Sequence, residues 1–290
     1  MTDKDIEIRS LAGVAPEAIT EAFLDAFADY AITLDAASLA DMLKRRGARM
    51  DLSFAAMDGS RIVSFILNGI GEYGGLLTAY DTGTGTVNAY RGMGLTDRIF
   101  AASVGPLARA GVKQYLLEVL TDNHPAVKIY SRQGFSCVRD FECFGADVKE
   151  AVETLRRKPL PEVTIEQTTV ESLSSLSPMM DFEPSWQNTL ASLNRNASAM
   201  TCLVAYVHGH PAGFAASETA YGDVSLLAVD PAHRRRGIGS RLLLELLSRM
   251  TCERAKALNV DAGCTTMPPF LRAAAFRPTC RQHEMIRPLP

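Results

Sequence analysis

The chain has no surplus of positive charge: 30 Lys and Arg stand against 33 Asp and Glu, for a net charge of −3. That speaks against the basic field on which nucleic-acid binding depends. No apolar run reaches the roughly 18 residues of a membrane span, and the acidic opening MTDKDIEIRS lacks the pattern of a signal peptide. The expectation is a cytoplasmic protein that engages neither nucleic acid nor membrane. Six cysteines, at 137, 143, 202, 252, 264 and 280, fall without any CxxC pairing, so they read as reduced, buried thiols. Of five histidines only His208 and His210 are closely spaced, at a hairpin turn, and no metal is expected. GxxxxGK[ST] is missing, and neither GTGTVN nor GMGLTD completes GxGxxG. That excludes the two best-known phosphate cradles.

What the chain does contain is one pattern written twice. TVNAYRGMGLTDRIF begins at Thr86, and VDPAHRRRGIGSRLL begins at Val229. Arg91, Gly94 and Leu95 recur as Arg234, Gly237 and Ile238, each 143 residues further on. The hairpin MDGSRIVSF answers VHGHPAGF, with Gly59 matched by Gly209, and Phe135 of the terminal GF answers Phe276. A repeat of this length is a duplicated domain rather than a solenoid. With 290 residues and 47% apolar composition, each half can bury a core of its own. The charged stretch around Pro159 and Pro161 separates the halves. Residues 1–150 and 158–290 are therefore the expected domains.

Each half reads as a strand, helical segments, a hairpin, a long strand, the Arg-Gly turn, a helix, a strand, a helix and a last strand. APEAITEAFLDAFADY stacks Ile19, Phe23 and Phe27 on one helical face, and the Asp-Gly of MDGSRI is a hairpin signal. The expected class is α/β or α+β, with a mixed sheet in each half flanked by helices. A strand that runs through a glycine turn into a helix presents free backbone N–H groups at the helix's positive end, which suits a pyrophosphate. Arg91 and Arg234 at the rim would add bidentate hydrogen bonds to phosphate oxygens.

The residues of this turn resemble motif A of the GNAT superfamily of acyl-CoA-dependent N-acetyltransferases. RRRGIGSRLLLELL matches Arg-x-x-Gly-x-Gly in full; RGMGLT departs from it at Thr96, where Gly or Ala is usual. LEVLTDNHPAVKIYSRQGF further resembles the family's second signature, with Asn123, Ala126, Tyr130, Gly134 and Phe135 in register. In the second half Cys264, Leu271 and Ala275 stand at the places of Asn123, Tyr130 and Gly134. The resemblance implies two tandem GNAT-like domains, each a twisted, centrally splayed sheet, with acetyl-CoA as cosubstrate. The implied cofactor-binding residues are Thr86, Val87, Arg91, Gly92, Met93, Gly94, Leu95, Thr96 and Asn123 in the first half. In the second they are Leu227, Val229, Arg234, Arg235, Arg236, Gly237, Ile238, Gly239 and Ser240.

In the family, a Tyr at the place of Tyr130 protonates the leaving thiolate. Because only the first half keeps it, the first half is the expected catalytic one; the competing reading is that the fuller motif A marks the second half as the active copy. The amine must lose a proton, and the candidate bases are Glu72, before the long strand, and Asp81, on it. Glu218 and Asp223 are their counterparts, and Glu118 is either a structural carboxylate or faces substrate. Trp186, Phe23, Phe27 and Tyr30 are core residues or lining of an acceptor pocket. The implied activity is N-acetylation of a primary amine on a small molecule or peptide, by direct attack in a ternary complex, in a monomer or homodimer. The alternatives are a non-catalytic acyl-CoA-binding module, motivated by Leu271 and Thr96, and aminoacyl transfer from tRNA, against which the net charge argues.

Overall fold

The computed structural model describes residues 6–28 and 35–290, so Tyr30 lies outside the described residues. Two compact units emerge. The first comprises Met1–Val119, Asn123–Val138 and Glu284–Pro290, and the second Leu120–Asp122 and Arg139–His283.

The first unit runs β1 (Ile6–Ser10), α1 (Pro16–Ala26), α2 (Ala36–Arg46), β2 (Phe54–Asp58), β3 (Arg61–Tyr73), β4 (Leu76–Thr86), α3 (Leu95–Arg109), β5 (Gln114–Leu120) and α4 (His124–Arg132). Its strands lie in the order β1-β2-β3-β4-β5. All neighbours are antiparallel except β4 and β5. The β2–β3 hairpin closes at Gly59, whose φ of 61° suits a residue without Cβ. Alternation along β2 divides the core. Phe54 and Ala56 join α3 on one face with Phe100, Leu107 and Tyr115, while Ala55 and Met57 join α1 and α2 on the other with Phe23, Leu39 and Phe65. Covered on both faces, β3 reads IVSFIL rather than alternating. α2 starts at a capping box, Asp35 accepting from the Ser38 N–H, and stops at left-handed Gly47.

The second unit holds β6 (Ser136–Asp147, from Arg139 onward), α5 (Val148–Arg156), β7 (Thr164–Thr168), α6 (Leu190–Arg195), β8 (Thr201–Val207), β9 (His210–Glu218), β10 (Asp223–Val229), α7 (Ile238–Leu247), β11 (Arg254–Asp261), α8 (Met267–Ala273) and β12 (Arg277–Pro288, up to His283). Strand order is β6-β11-β10-β9-β8-β7, and β10 with β11 is the parallel pair. The LLLELL of α7 buries Leu242, Leu243, Leu246 and Leu247 against Leu203, Ala215 and Phe276.

These units differ from the contiguous segments 1–150 and 158–290. From Arg139 on, β6 is part of the second unit, antiparallel to β11, with Phe144 opposite Ala257. The chain's last residues belong to the first unit, where the Leu289 N–H donates to the Lys113 carbonyl (2.8 Å) and Tyr73 Oη donates to Glu284 Oε1 (2.7 Å). FSCVRDFECF and TCRQHEMIR have the same strand character, and nothing in their local pattern selects which sheet edge each one takes. Among the described residues, no helix is long and apolar enough to cross a membrane.

Candidate active site

In each unit the parallel strands meet and then part. β4 pairs with β5 only from Thr78 to Tyr80, and β10 pairs with β11 only at Asp223 opposite Lys256. A bulge sits at the same place in both. On β4 the register against β3 skips Thr82, and on β10 the register against β9 skips Ser225, 143 residues later. A bulged residue raises local twist, which carries β4 away from β5. In the first unit the bulge is held by Arg46, whose Nη1 donates to the Thr82 carbonyl (2.9 Å), and by Thr82 Oγ1 donating to the Leu67 carbonyl (3.1 Å).

The turn follows at the end of the parted strand. Gly92 and Gly94 have φ of 78° and 68°, and Gly94 is the residue that caps α3. Arg235 and Gly237 adopt 61° and 85° at the equivalent places, so an arginine occupies the left-handed conformation that glycine takes in the first copy. That costs on the order of 1 kcal/mol. Buried Leu95 and Ile238 anchor the two helices. The first turn is open: Met93 is 43% exposed, and a Cβ added at Gly92 or Gly94 would meet nothing within 4 Å. The second is covered: a Cβ at Gly237 would lie 2.9 Å from Pro161 Cδ and 3.2 Å from the Pro159 carbonyl oxygen. Gly239 is packed against Phe270 of α8, 3.4 Å from its added Cβ, while Ser240 is half-buried and Arg236 exposed.

Both arginines of the motif hydrogen-bond backbone carbonyls, Arg91 from an exposed position and Arg234 from a half-buried one. Arg91 donates from Nε to the Thr86 carbonyl (3.2 Å) and from Nη2 to the Ala26 carbonyl at the end of α1 (3.0 Å). Arg234 does the same to the Val229 carbonyl (3.0 Å) and the Met179 carbonyl (3.3 Å), and pairs with Asp181 at 2.7 Å. Each therefore ties the end of its strand to the segment preceding the hairpin. The remaining first-half residues are Thr86, whose Oγ1 lies 2.8 Å from Ser64 Oγ, and Val87, buried in the core. Thr96 is half-buried in the first turn of α3, and the Asn123 side chain caps α4 through the Ala126 N–H (3.3 Å).

Of the expected catalytic groups, two come together. Tyr130 Oη donates to Asp81 Oδ2 at 3.4 Å, just where β4 leaves β5. Asp81 also accepts from Thr84 Oγ1 (2.6 Å) and the Gly83 N–H (3.0 Å). Burial raises the Asp81 carboxyl to about 6, while these donors hold it down. The Tyr130 ring stands edge-on to Phe135, centroids 5.8 Å apart. Glu72 does not join them. It is exposed, opposite Leu77 near the β3–β4 turn, roughly 13 Å along the strand from Asp81 at ~3.3 Å per residue. Glu118 takes a hydrogen bond from Tyr80 Oη (3.0 Å), next to the parted edge. Thr84 and Arg46, neither foreseen, complete the surroundings; the polar run DTGTGT inside a strand is a signal for Thr84, and none in the sequence singles out Arg46.

In the second unit a cleft opens between the parted strands, lined by Ser225, Leu227, Asn259, Val260, Met267 and Leu271 among others. Leu271 lines the cleft at the position corresponding to Tyr130. Glu218 is buried and accepts from Asn196 Nδ2 (3.2 Å), and Asp223 is buried at the start of β10. Trp186 is fully buried, with the Arg195 guanidinium 5.4 Å from its ring centroid.

A sheet that splays after a bulge and feeds a left-handed glycine turn, present twice, defines the class. Residues 169–276 match the Acetyltransferase (GNAT) family. Over its full length the fold resembles a tandem GNAT protein from the clavulanic acid biosynthesis pathway, at 14% identity, 99% coverage of both chains and a TM-score of 0.73. It also resembles a GCN5-related N-acetyltransferase from Sphaerobacter thermophilus, at 14% identity, 100% and 97% coverage and a TM-score of 0.67. A stretch of 86 residues is 29% identical to N-alpha-acetyltransferase 30 of Schizosaccharomyces pombe, covering 29% of this chain and 57% of that protein. The family match thus falls on the second half, and over its full length the fold is similar to that of a tandem GNAT protein.

Proposed function

We propose that this protein transfers the acetyl group of acetyl-CoA to a primary amine, and that the first unit carries the chemistry. The observation that carries this reading is the Tyr130–Asp81 contact at the point where β4 and β5 separate. The open turn at Gly92–Gly94 suits a diphosphate, because a Cβ added at either glycine would meet nothing within 4 Å and the first N–H groups of a helix have no partners within it. The parted edge of β4 suits the extended amide arm of a pantetheine.

When bound, acetyl-CoA supplies the thioester. The chain's own groups then move the protons. Asp81, deprotonated above about pH 6, accepts the proton that the amine must shed as its N–C bond forms. Tyr130 Oη gives its proton to the sulfur as the C–S bond breaks, and recovers one from Asp81 across their hydrogen bond. The net change is amine plus thioester to amide plus thiol. A backbone N–H on β4 near the bulge is the donor available to the oxyanion. The acceptor is a primary amine of a small molecule or peptide, in keeping with the S. pombe relative's name as an N-alpha-acetyltransferase.

A second reading has its own support: the family match falls on the second half, and a cleft opens between the parted strands of that unit. In it, the second unit holds acyl-CoA, with Leu271 in place of an acid. The test is thiol release from acetyl-CoA with a panel of primary amines, using Asp81→Asn, Tyr130→Phe and the cleft-filling Leu227→Trp. Our reading expects the first two to lose turnover and the third to keep it; the reverse pattern supports the second reading, and no release from wild type with any amine contradicts both.

A further inference from the structure

We propose that Cys143 and Cys280 are an oxidisable dithiol, closed to a disulfide by a hydroperoxide. Both residues lie in the second unit, on the neighbouring strands β6 and β12. His283 Nδ1 on β12 is 2.6 Å from Asp140 Oδ1 on β6. Gly145 of β6 likewise meets Thr279 of β12, so the two strands run antiparallel. Three residues onward along β6 and three back along β12 from the Asp140–His283 contact, Cys143 and Cys280 fall opposite one another. Gln282, two residues beyond Cys280, donates from Nε2 to Cys143 Sγ (3.4 Å). Directly opposed residues on antiparallel strands have Cα atoms about 4.5–5.5 Å apart. A disulfide spans about 4.4–6.8 Å, so the bridge can close without moving the strands.

The two sulfurs are unequal in the way such a reaction needs. Cys143 is fully buried, whereas Cys280 is half-buried and within reach of a small oxidant. The neighbouring Cys143 and Thr279 side chains hold the Cys280 thiol below its ordinary value, against burial that pushes it up, which favours its thiolate. The Cys280 thiolate attacks the peroxide O–O bond, becoming a sulfenic acid and releasing an alcohol or, from hydrogen peroxide, water. Cys143 then attacks that sulfur; its proton and the hydroxyl leave as water. Two thiols are oxidised and one peroxide is reduced.

The pair is wired to the cleft. Cys143 Sγ accepts from Gln282 Nε2 (3.4 Å) and from the Asn259 backbone N–H, and donates to Asn259 Oδ1 (both 3.5 Å). Asn259 is buried, has a φ of 57° within β11, bonds Ser185 Oγ through Nδ2 (3.3 Å), and lines the cleft. Closing the disulfide removes the thiol proton that Asn259 Oδ1 accepts, and so changes a group on the cleft wall.

The experiment is oxidation of the whole reduced protein with stoichiometric hydrogen peroxide, followed by intact mass measurement and peptide mapping after alkylation. The expected result is loss of two hydrogens, with Cys143 and Cys280 alone protected from alkylation and a melting temperature several degrees higher, all reversed by a dithiol reductant. Cys143→Ser should stop at a sulfenic acid on Cys280 that dimedone traps, and Cys280→Ser should leave Cys143 unoxidised. The proposal is overturned if Cys143 and Cys280 both remain alkylatable in wild type while exposed Cys137 or half-buried Cys252 or Cys264 is oxidised instead. The mapping of wild type decides the matter even if either serine variant fails to fold.

Discussion

The two copies of the glycine turn keep the same backbone and face different surroundings. At Gly94 the space beyond the α-carbon is open, whereas at Gly237 it is filled by Pro161 and the Pro159 carbonyl. The copies diverge again on the following helix, with Tyr130 and Asp81 in contact in the first unit and Leu271 lining an apolar cleft in the second. Duplication thus preserved the scaffold, namely the bulge, the splay, the arginine tie and the left-handed turn. What it did not preserve is the chemistry placed on that scaffold. Fold similarity alone cannot say which copy reacts; the groups at each splay have to be compared.

Three changes break or sharpen this comparison, from the largest effect to the smallest. Asp81→Asn removes the proposed base and should lower kcat by about 10²–10⁴-fold, measured as thiol release, whereas Asp223→Asn should leave most of the rate. In wild type kcat/KM should rise with pH through about 6, where Asp81 ionises. The same group has a stability signature. Its folded value lies above the ordinary ~3.9 of aspartate, so the folded state holds the proton more tightly and stability falls as pH rises through that window. Asp81→Asn should therefore gain in melting temperature relative to wild type at pH 8 compared with pH 4, by differential scanning calorimetry. Loss of activity together with that gain would mark a functional rather than a structural carboxylate.

Tyr130→Phe comes next. It keeps the ring on Phe135 and deletes only the hydroxyl, so folding should be intact and kcat should fall by roughly 10–100-fold, within the range of a lost proton donor. The loss should shrink with an acyl donor whose thiol is more acidic and needs no proton to leave. Arg235→Gly is the smallest test. It relieves the left-handed arginine and should stabilise the fold by about 1 kcal/mol in urea denaturation, without touching turnover. A comparable gain from Gly92→Ala would contradict the conformational argument, since Gly92 takes the same φ without strain.

Much of the scaffold is legible in the chain. The fixed spacing from Arg91 to Arg234 announces the duplication, and the Asp58-Gly59 turn and the left-handed glycines appear where expected. Tyr130 and Asp81 are nominated from motif and position, and they meet. Three things were not legible, each because it is decided by tertiary contacts. β6 and β12 have interchangeable local patterns, and only the edges left free by β5 and β11 determine where they pair. The arginines carry charge that suits a phosphate, yet the nearer acceptors are the carbonyls of Thr86 and Ala26, or Val229 and Met179. Glu72 precedes β4 in sequence, but a hairpin doubles the chain back and leaves it at the far end from Asp81.

The most direct measurement of the central claim is a calorimetric titration of acetyl-CoA into wild type, Gly94→Asp and Gly94→Asn, each checked by circular dichroism. Asp and Asn both tolerate the left-handed conformation at Gly94, and only Asp places a negative charge on the diphosphate cradle. The account predicts that Gly94→Asp binds at least 100-fold more weakly than wild type, with Gly94→Asn in between. Unchanged binding and turnover in Gly94→Asp would contradict it and move the acyl-CoA site to the second unit.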